Sequence, residues 1–518
     1  MESDQAGGWC EFGPGDAPIL VCIGSSFIDT ARAKDNSSRE AGDGFDFETL
    51  KAKARAAWAR QLSPIDITAS DDVKTIFYTA MYHTLLCPRE SGEYGRYYSG
   101  IDDQIHDGDS YTCYSMWDTY RSEHAFLTLA APERVDPMMR ALLQIYKEGG
   151  WLPKWPSLTY TGQMTGNPAE VILAEAYAKG FRGFDAELAW EACWKSATVP
   201  QKNDLANNWK WRLPWRGYPP ARCGLTRYMQ NGWVAADECS ESVSRTQDFC
   251  LDDLATASLG EALGHNKEAA YLRSRAKNYR NVWNSEKQLF WPRQVTGCWK
   301  SGLNQDFGRG DYTECSPETC IWQVQYDMPG LIDLLGGREK AIARLDNYFM
   351  NMFFSAGRPR GSMSLHENEP THHISYLYNL LGEHEKCAQV VRTILTTTYT
   401  TDAWGFEGND DCGQISSWYV LSSLGFYPVL PYSGEYEIGS PLVDRAAIRI
   451  GHPYKPAVFT VVAKNQSKAN YVVKSVKLNG RELVSRRIRH GDIVVGGTLE
   501  FEMAPAARDP LNLGRNIK

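Results

Sequence analysis

The stretch Asp71-Asp72-Val73-Lys74-Thr75-Ile76-Phe77-Tyr78-Thr79-Ala80-Met81-Tyr82-His83-Thr84-Leu85 has apolar residues at 73, 76, 77, 80, 81 and 85. That spacing puts them on one face of a helix, with two acids to cap its start and Pro88 beyond its end. The same period recurs near 116–130, 132–149, 168–180, 183–195, 241–263, 265–284, 319–335, 338–353, 371–381, 384–397 and 413–424. Twelve helices follow, several joined by short glycine turns such as Lys179-Gly180 and Gly336-Gly337. Six helical hairpins in sequence predict a mainly α fold, an (α/α)6 barrel, over 65–431.

Outside that block the period changes. Ile19-Leu20-Val21-Cys22-Ile23-Gly24 reads as a short strand followed by a polar loop through Gly44, and 46–62 as an amphipathic linker helix closed by Ser63-Pro64. The segment 1–64 is therefore expected to be a strand plus a linker. After Pro431 apolar residues alternate at 436–438, 447–450, 458–462, 471–473 and 499–502, with Asn479-Gly480 and Gly496-Gly497 as turns. This predicts a small C-terminal β-sandwich or sheet over 432–518.

Composition narrows the function. The 518 residues carry a net charge of −8, which leaves no broad basic surface for nucleic acid. No run of about 18 apolar residues spans a membrane. The thirteen cysteines contain no CxxC pair and no Cys/His cluster at zinc spacing, so a thiolate metal site is not expected. The first residues, 1–18, make no signal peptide, lacking a basic start and an apolar core. Aromatics reach 12%, including 17 Trp and 27 Tyr, which suits a cleft that stacks the apolar faces of sugar rings.

Five loops between helices concentrate acids, amides and aromatics. In Met116-Trp117-Asp118-Thr119-Tyr120-Arg121, the Asp and Arg can hold hydroxyls while the indole covers a sugar face. Gly149-Gly150-Trp151-Leu152-Pro153-Lys154-Trp155-Pro156 is a rigid aromatic loop suited to lining a cleft. Asp311-Tyr312-Thr313-Glu314-Cys315-Ser316-Pro317 places a carboxylate just ahead of a helix, with Thr313 or Ser316 free to cap. Leu365-His366-Glu367-Asn368-Glu369-Pro370-Thr371-His372-His373 is dense in ligand atoms. Its Asn368 and Glu369 offer hard oxygens of the kind calcium takes, while the histidines lack the HExxH zinc spacing. Gly408-Asn409-Asp410-Asp411-Cys412-Gly413-Gln414 sets two acids before an apolar helix, flanked by Trp404, Phe406, Trp418 and Tyr419. One acid can cap the helix while the other is free for chemistry. A glycosidase needs a protonated acid and an ionised base on either side of the sugar, and Glu314 and Asp411 can face one funnel of a barrel.

Taken together these motifs resemble glycoside hydrolase family 92, the calcium-dependent exo-acting α-mannosidases. The resemblance rests on Tyr114-Ser115-Met116-Trp117-Asp118-Thr119-Tyr120-Arg121, Gly150-Trp151-Leu152-Pro153-Lys154-Trp155, Tyr312-Thr313-Glu314, Asn368-Glu369-Pro370-Thr371-His372-His373 and the run from Gly408 through Tyr419, in family order. It implies inverting hydrolysis of terminal α-linked mannose, expected to be of α-1,2 type, from an oligosaccharide or glycoprotein glycan. Glu314 matches the general acid and Asp411 the base, assisted by Asp410 or Asn409. Trp117, Asp118, Arg121, Trp155, His366 and Glu369 would touch substrate, and Asn368, Glu369 and Asp411 would hold Ca2+. An inverting pair implies carboxyls roughly 6.5–9.5 Å apart, with room for a water.

The family further implies an N-terminal β-sandwich, of which 19–28 reads as a last strand, and a secreted or endomembrane, lysosomal-type compartment. The sequence departs from the family pattern at Gly166-Asn167-Pro168-Ala169-Glu170 and Pro317-Glu318-Thr319-Cys320-Ile321-Trp322, so different sugar subsites are expected. Two other readings stay open: a carbohydrate-binding remnant without turnover, and an (α/α)6 glycosidase acting on another sugar.

Overall fold

A computed structural model describes residues 9–15, 18–42, 46–202, 204, 221–303, 310–354, 366–506 and 511, with the backbone alone at 353–354. The chain divides into two compact units, 1–58 and 59–518. In the first, the expected strand is absent: 18–28 forms no strand, and Ile19, Leu20, Val21 and Ile23 are exposed. A short apolar run becomes a strand only where another backbone pairs with it. The expected polar loop contains the helix Thr30–Ala41 instead. Asp29 caps it by accepting from Arg32 N, and Asp35 pairs with Arg32 and Arg39 on one face. The linker helix forms as expected, Phe47–Leu62.

In the second unit, Asp71–Thr84 is a helix whose Phe77, Ala80, Met81 and Thr84 are buried. Ser70, not Asp71 or Asp72, supplies the cap, accepting from Val73 N while the two acids sit in the first turn. The last long helix, Gln414–Leu424, packs against this first one, and Thr84 Oγ1 donates to Gly413 O (3.4 Å). First helix meets last, so the ring of helices closes.

Four predicted helices are broken, each for a local reason. The segment 116–130 splits into Met116–Thr119 and Glu123–Ala130 because Ser122 N and Glu123 N donate to Gln414 Oε1 (3.0 and 3.2 Å) rather than up a helix. In 319–335 the chain restarts at Met328–Leu334, where Asp327 caps by accepting from Gly330 N and Pro329 cannot continue the preceding turn. The segment 265–284 is helical over Asn266–Arg275, then turns through a 3-10 helix into a hairpin. Residues 371–381 are mostly 3-10 turns before Leu377–Leu380.

The helix Ser242–Leu263 is buried on nearly all sides and carries an ion network. Arg222 donates to Glu170 Oε2 (2.5 Å) and Asp253 Oδ1 (2.6 Å), and Arg275 donates to both oxygens of Asp253 (2.6 and 2.5 Å). The Thr256 hydroxyl donates to Glu170 Oε2 and the Tyr228 hydroxyl to Asp253 Oδ2. Glu170, one of the departures from the family pattern, is thus a packing residue.

The C-terminal part holds two sheets. The larger has strand order Ile65–Thr68, Arg445–Ile450, Ala457–Lys464, Gly497–Ala504, Val472–Leu478, Arg481–Glu482, with only Ala457–Lys464 and Gly497–Ala504 parallel. Alternating burial along Gly497–Ala504 matches the period-two pattern, and Asn479-Gly480, both at positive φ, makes the two-residue hairpin turn. The second sheet pairs Phe426–Tyr427, Glu435–Ile438 and Arg487–Arg489. The sheet region therefore takes in Ile65–Thr68 and Phe426–Tyr427, on the barrel side of both boundaries placed by sequence. Four and two residues are too few to show a period.

Removing one partner of a buried ion pair leaves the other charge uncompensated, here Arg275, at a cost of about 3–5 kcal/mol. Asp253→Ala is expected to lower the unfolding free energy read from urea denaturation by that much, and an unchanged value would show that Arg222 and Arg275 do not depend on it.

Candidate active site

The loop 408–413 brings its two acids to different tasks. Asp410 Oδ1 accepts from Ser416 N (2.9 Å) and its carbonyl from Gln414 N (2.8 Å), so Asp410 caps the helix Gln414–Leu424. Asp411, Cys412 and Gly413 then run consecutively at positive φ (42°, 62° and 94°). A Cβ on Gly413 would meet Thr84 Cα at 2.6 Å, so only glycine lets the loop lie against the first helix. This turn frees the Asp411 side chain, which lines a cavity of about 790 Å³.

Glu314 lines the same cavity from a second loop. Ser316 takes the cap of Pro317–Ile321, accepting from Thr319 N (3.1 Å), and Ser244 Oγ accepts from Thr313 N (2.9 Å). Held on both sides, Glu314 adopts φ +49°, a conformation a non-glycine residue takes only when its surroundings enforce it. Burial, with a further push from the Asp411 charge, raises its pKa to about 7, against a downward pull from Asn368. Asn368 Nδ2 donates to Glu314 O (2.8 Å) and Oε2 (3.3 Å), so this amide orients Glu314. Asn368 is also an expected cation ligand, and the atom it gives to Glu314 is its Nδ2.

Asp118, Glu369 and Asp411 bring carboxylate oxygens within 4.8 Å of one another. Both oxygens of Glu369 are buried without a hydrogen-bond donor. Asp118 accepts from Ser115 Oγ, which in turn accepts from Trp155 Nε1. Desolvation, then mutual charge, drives Asp118 and Glu369 far above the usual carboxylate range; burial and the Asp410 charge raise Asp411. Three crowded acids that accept so few hydrogen bonds have the oxygen donors that a hard cation would take.

Of the expected site residues, Glu369, His366, Arg121, Trp117 and Asp410 do not line the cavity. His366 is 2% exposed, its Nε2 against Tyr399 hydroxyl (3.1 Å) and its ring 4.1 Å from that of Trp418, and burial lowers its pKa to about 3. It supports the loop from beneath and does not line the cavity. Arg121 and Trp117 are also buried: the guanidinium lies over the Trp117 and Tyr120 rings (4.9 and 4.8 Å), and Nε donates to Trp117 O. Their place is behind Asp118, where Arg121 offsets part of its charge. Asp410, assigned to the chemistry, is occupied as a cap. Asp118, Trp155, Glu314, Asn368 and Asp411 do line the cavity, as does Trp404, which is 89% exposed. Glu367, Gln163, Thr398 and Asp402 line it too and were missed. Glu367 sits inside a quoted loop, whereas Thr398 ends a helix and carries no signal.

The family model for the glycosyl hydrolase family 92 catalytic domain matches residues 32–505. The chain belongs to this family. It is 26% identical over 97% of its length to an uncharacterized secreted glycosidase of Arthroderma benhamiae, covering 64% of that protein. It is similar in structure to a family 92 inverting mannosidase of Bacteroides thetaiotaomicron, with TM-score 0.83 and 30% identity over 93% of this chain and 66% of that one. A family 92 α-mannosidase of the same organism, solved with mannoimidazole, matches at 0.82 and 30% over 92% and 62%. The chain spans just under two thirds of the length of each of these relatives.

Carboxyls whose folded pKa lies above the unfolded value stabilise fully below the unfolded pKa and lose that contribution as pH rises through the folded one. With chelator present, the melting temperature is expected to fall from pH 5 to pH 8, spanning the value near 7 for Glu314. Glu369→Gln should melt higher than the parent at pH 8. A lower melting temperature for the variant would contradict repulsion within the group.

Proposed function

We propose that the chain hydrolyses terminal α-linked mannose with inversion, Glu314 acting as general acid and Asp411 as general base. The observation that carries this is the shared cavity, lined by a carboxyl with a pKa near 7 and by Asp118 and Asp411 of the three-acid group, with Glu369 buried beside them. The solved relatives that are mannosidases support the sugar. α-1,2-Linked mannose is the expected substrate.

Glu314 arrives protonated near neutral pH and gives its proton to the glycosidic oxygen as the bond to C1 breaks. Asn368 keeps the carboxyl aimed while leaving its proton in place. Asp411 takes a proton from the water that attacks C1 from the face opposite the leaving group. Asp410 supports the base loop by capping, outside the proton path. Trp155, fixed through Ser115 to Asp118, gives the sugar an apolar wall.

Asp118, Glu369 and Asp411 fit calcium by their oxygen-only donors and the two orphaned oxygens of Glu369. Bound there, calcium would supply the charge that keeps these acids ionised, and a partner for sugar hydroxyls. No helix of the described residues is long and apolar enough to cross a membrane. The secreted relative supports a secreted location.

The test is mannose release from α-1,2-, α-1,3- and α-1,6-mannobiose. Glu314→Gln and Asp411→Asn are each expected to lower kcat by about 10²–10⁴-fold, the usual contribution of a positioned acid or base. Chelation should abolish release and calcium restore it, with the α-1,2 substrate preferred. Full turnover in either variant would remove that residue from the chemistry, and sugar binding without product would favour a binding protein.

A further inference from the structure

A second group of ligand atoms lies outside the cavity. The strands Arg96–Ser99 and Gln104–Asp107 form an antiparallel hairpin that sets Tyr97 opposite His106. His106 Nε2 is 2.9 Å from Asp102 Oδ2 and 3.8 Å from Glu148 Oε1. The three ligand atoms all fall within 4.8 Å of one another. Two ligand atoms bound at about 2.0–2.1 Å on a tetrahedral ion stand roughly 3.3 Å apart, so small side-chain shifts suffice to close the site.

Glu148 makes the case for a cation. It occupies the last turn of the helix Val135–Gly149, ahead of the left-handed Gly150, where the helix dipole is negative and a carboxylate is disfavoured. Its side chain is only 3% exposed. Among the described residues, His106 is its one ion-pair partner. Both its oxygens are held by hydroxyl donors: Tyr97 to Oε1, and Ser99 to Oε2 at 2.6 Å. Hydrogen bonds that fix a carboxylate in this way are typical of the shell around a metal ligand.

We propose that Asp102, His106 and Glu148 bind a divalent transition metal of the zinc type, pinning the 96–107 hairpin to the end of the helix Val135–Gly149. An imidazole with two carboxylates selects a borderline ion, unlike the oxygen-only group at Asp118. The ring binds as neutral imidazole through Nε2, and any proton on that nitrogen leaves to solvent or moves to Nδ1. Water completes the coordination. The hairpin tip is also tied to the Trp155 loop, since Gly100 N donates to Leu158 O (3.1 Å). The ion would thereby stiffen one wall of the cavity.

The test uses the full chain in saturating calcium, with exposed thiols alkylated. Zinc binding is followed by calorimetry, and Co2+ binding by its visible ligand-field spectrum. The wild type is expected to bind one ion with a tetrahedral cobalt spectrum free of thiolate charge-transfer bands. His106→Ala and Asp102→Asn should each weaken binding at least tenfold, while Glu369→Gln leaves it unchanged. Absence of zinc binding by folded wild type, or equal binding in both variants, would overturn the proposal and leave an Asp–His–Glu hydrogen-bonded group. Because Asp102 is partly exposed, its variant decides the matter if His106→Ala does not fold.

Discussion

The site depends on what one buried amide holds. Gln414 Oε1 accepts from Ser122 N and Glu123 N, and its Nε2 meets His372 Nδ1 at 3.0 Å. Asp118, Glu369 and Asp411 each lie within a helical turn of chain from one of those three points. The amide thus breaks the 116–130 helix behind Asp118, fixes the turns after Glu369 and opens the helix that follows Asp411. Three loops distant in sequence converge because one side chain satisfies backbone and imidazole groups from two of them.

Convergence sets the electrostatics. Carboxylates gathered where water cannot screen them are costly to ionise together, so their arrangement makes sense as a place for added positive charge. Glu314 stands at the edge of this field. Burial and the Asp411 charge raise it into the range where it can both hold and give a proton, while Asn368 limits the rise. The division of labour between adjacent acids is equally physical. Asp410 caps a helix, and the left-handed turn after it sends Asp411 into the cavity.

Much of the fold was legible because its periods are long and regular. The helix at Asp71–Thr84, the Asn479-Gly480 turn and the alternation of Gly497–Ala504 follow from spacing alone. Strand Ile65–Thr68 was hidden because four residues show no period and its partner, Arg445–Ile450, lies far along the chain. The break at 120–122 was hidden because a distant amide captures the backbone there. Ile19 to Gly24 looked like a strand, but an apolar run carries no information about whether a partner strand exists.

In the site, sequence marked the loops better than the residues within them. Glu314, Asp411 and Asp118 face the cavity as their loops suggested, yet His366, Arg121 and Trp117 sit behind its wall. Burial depends on neighbours that composition does not reveal: His366 is enclosed by Trp418 and Tyr399, and Arg121 by two aromatic rings.

The central claim is that Glu314 and Asp411 act from opposite faces of the sugar with a water between them. Proton NMR of the first product formed from an α-mannoside, read before mutarotation, tests it directly. β-Mannose is expected at early times; α-mannose as the first product would contradict an inverting Glu314–Asp411 pair.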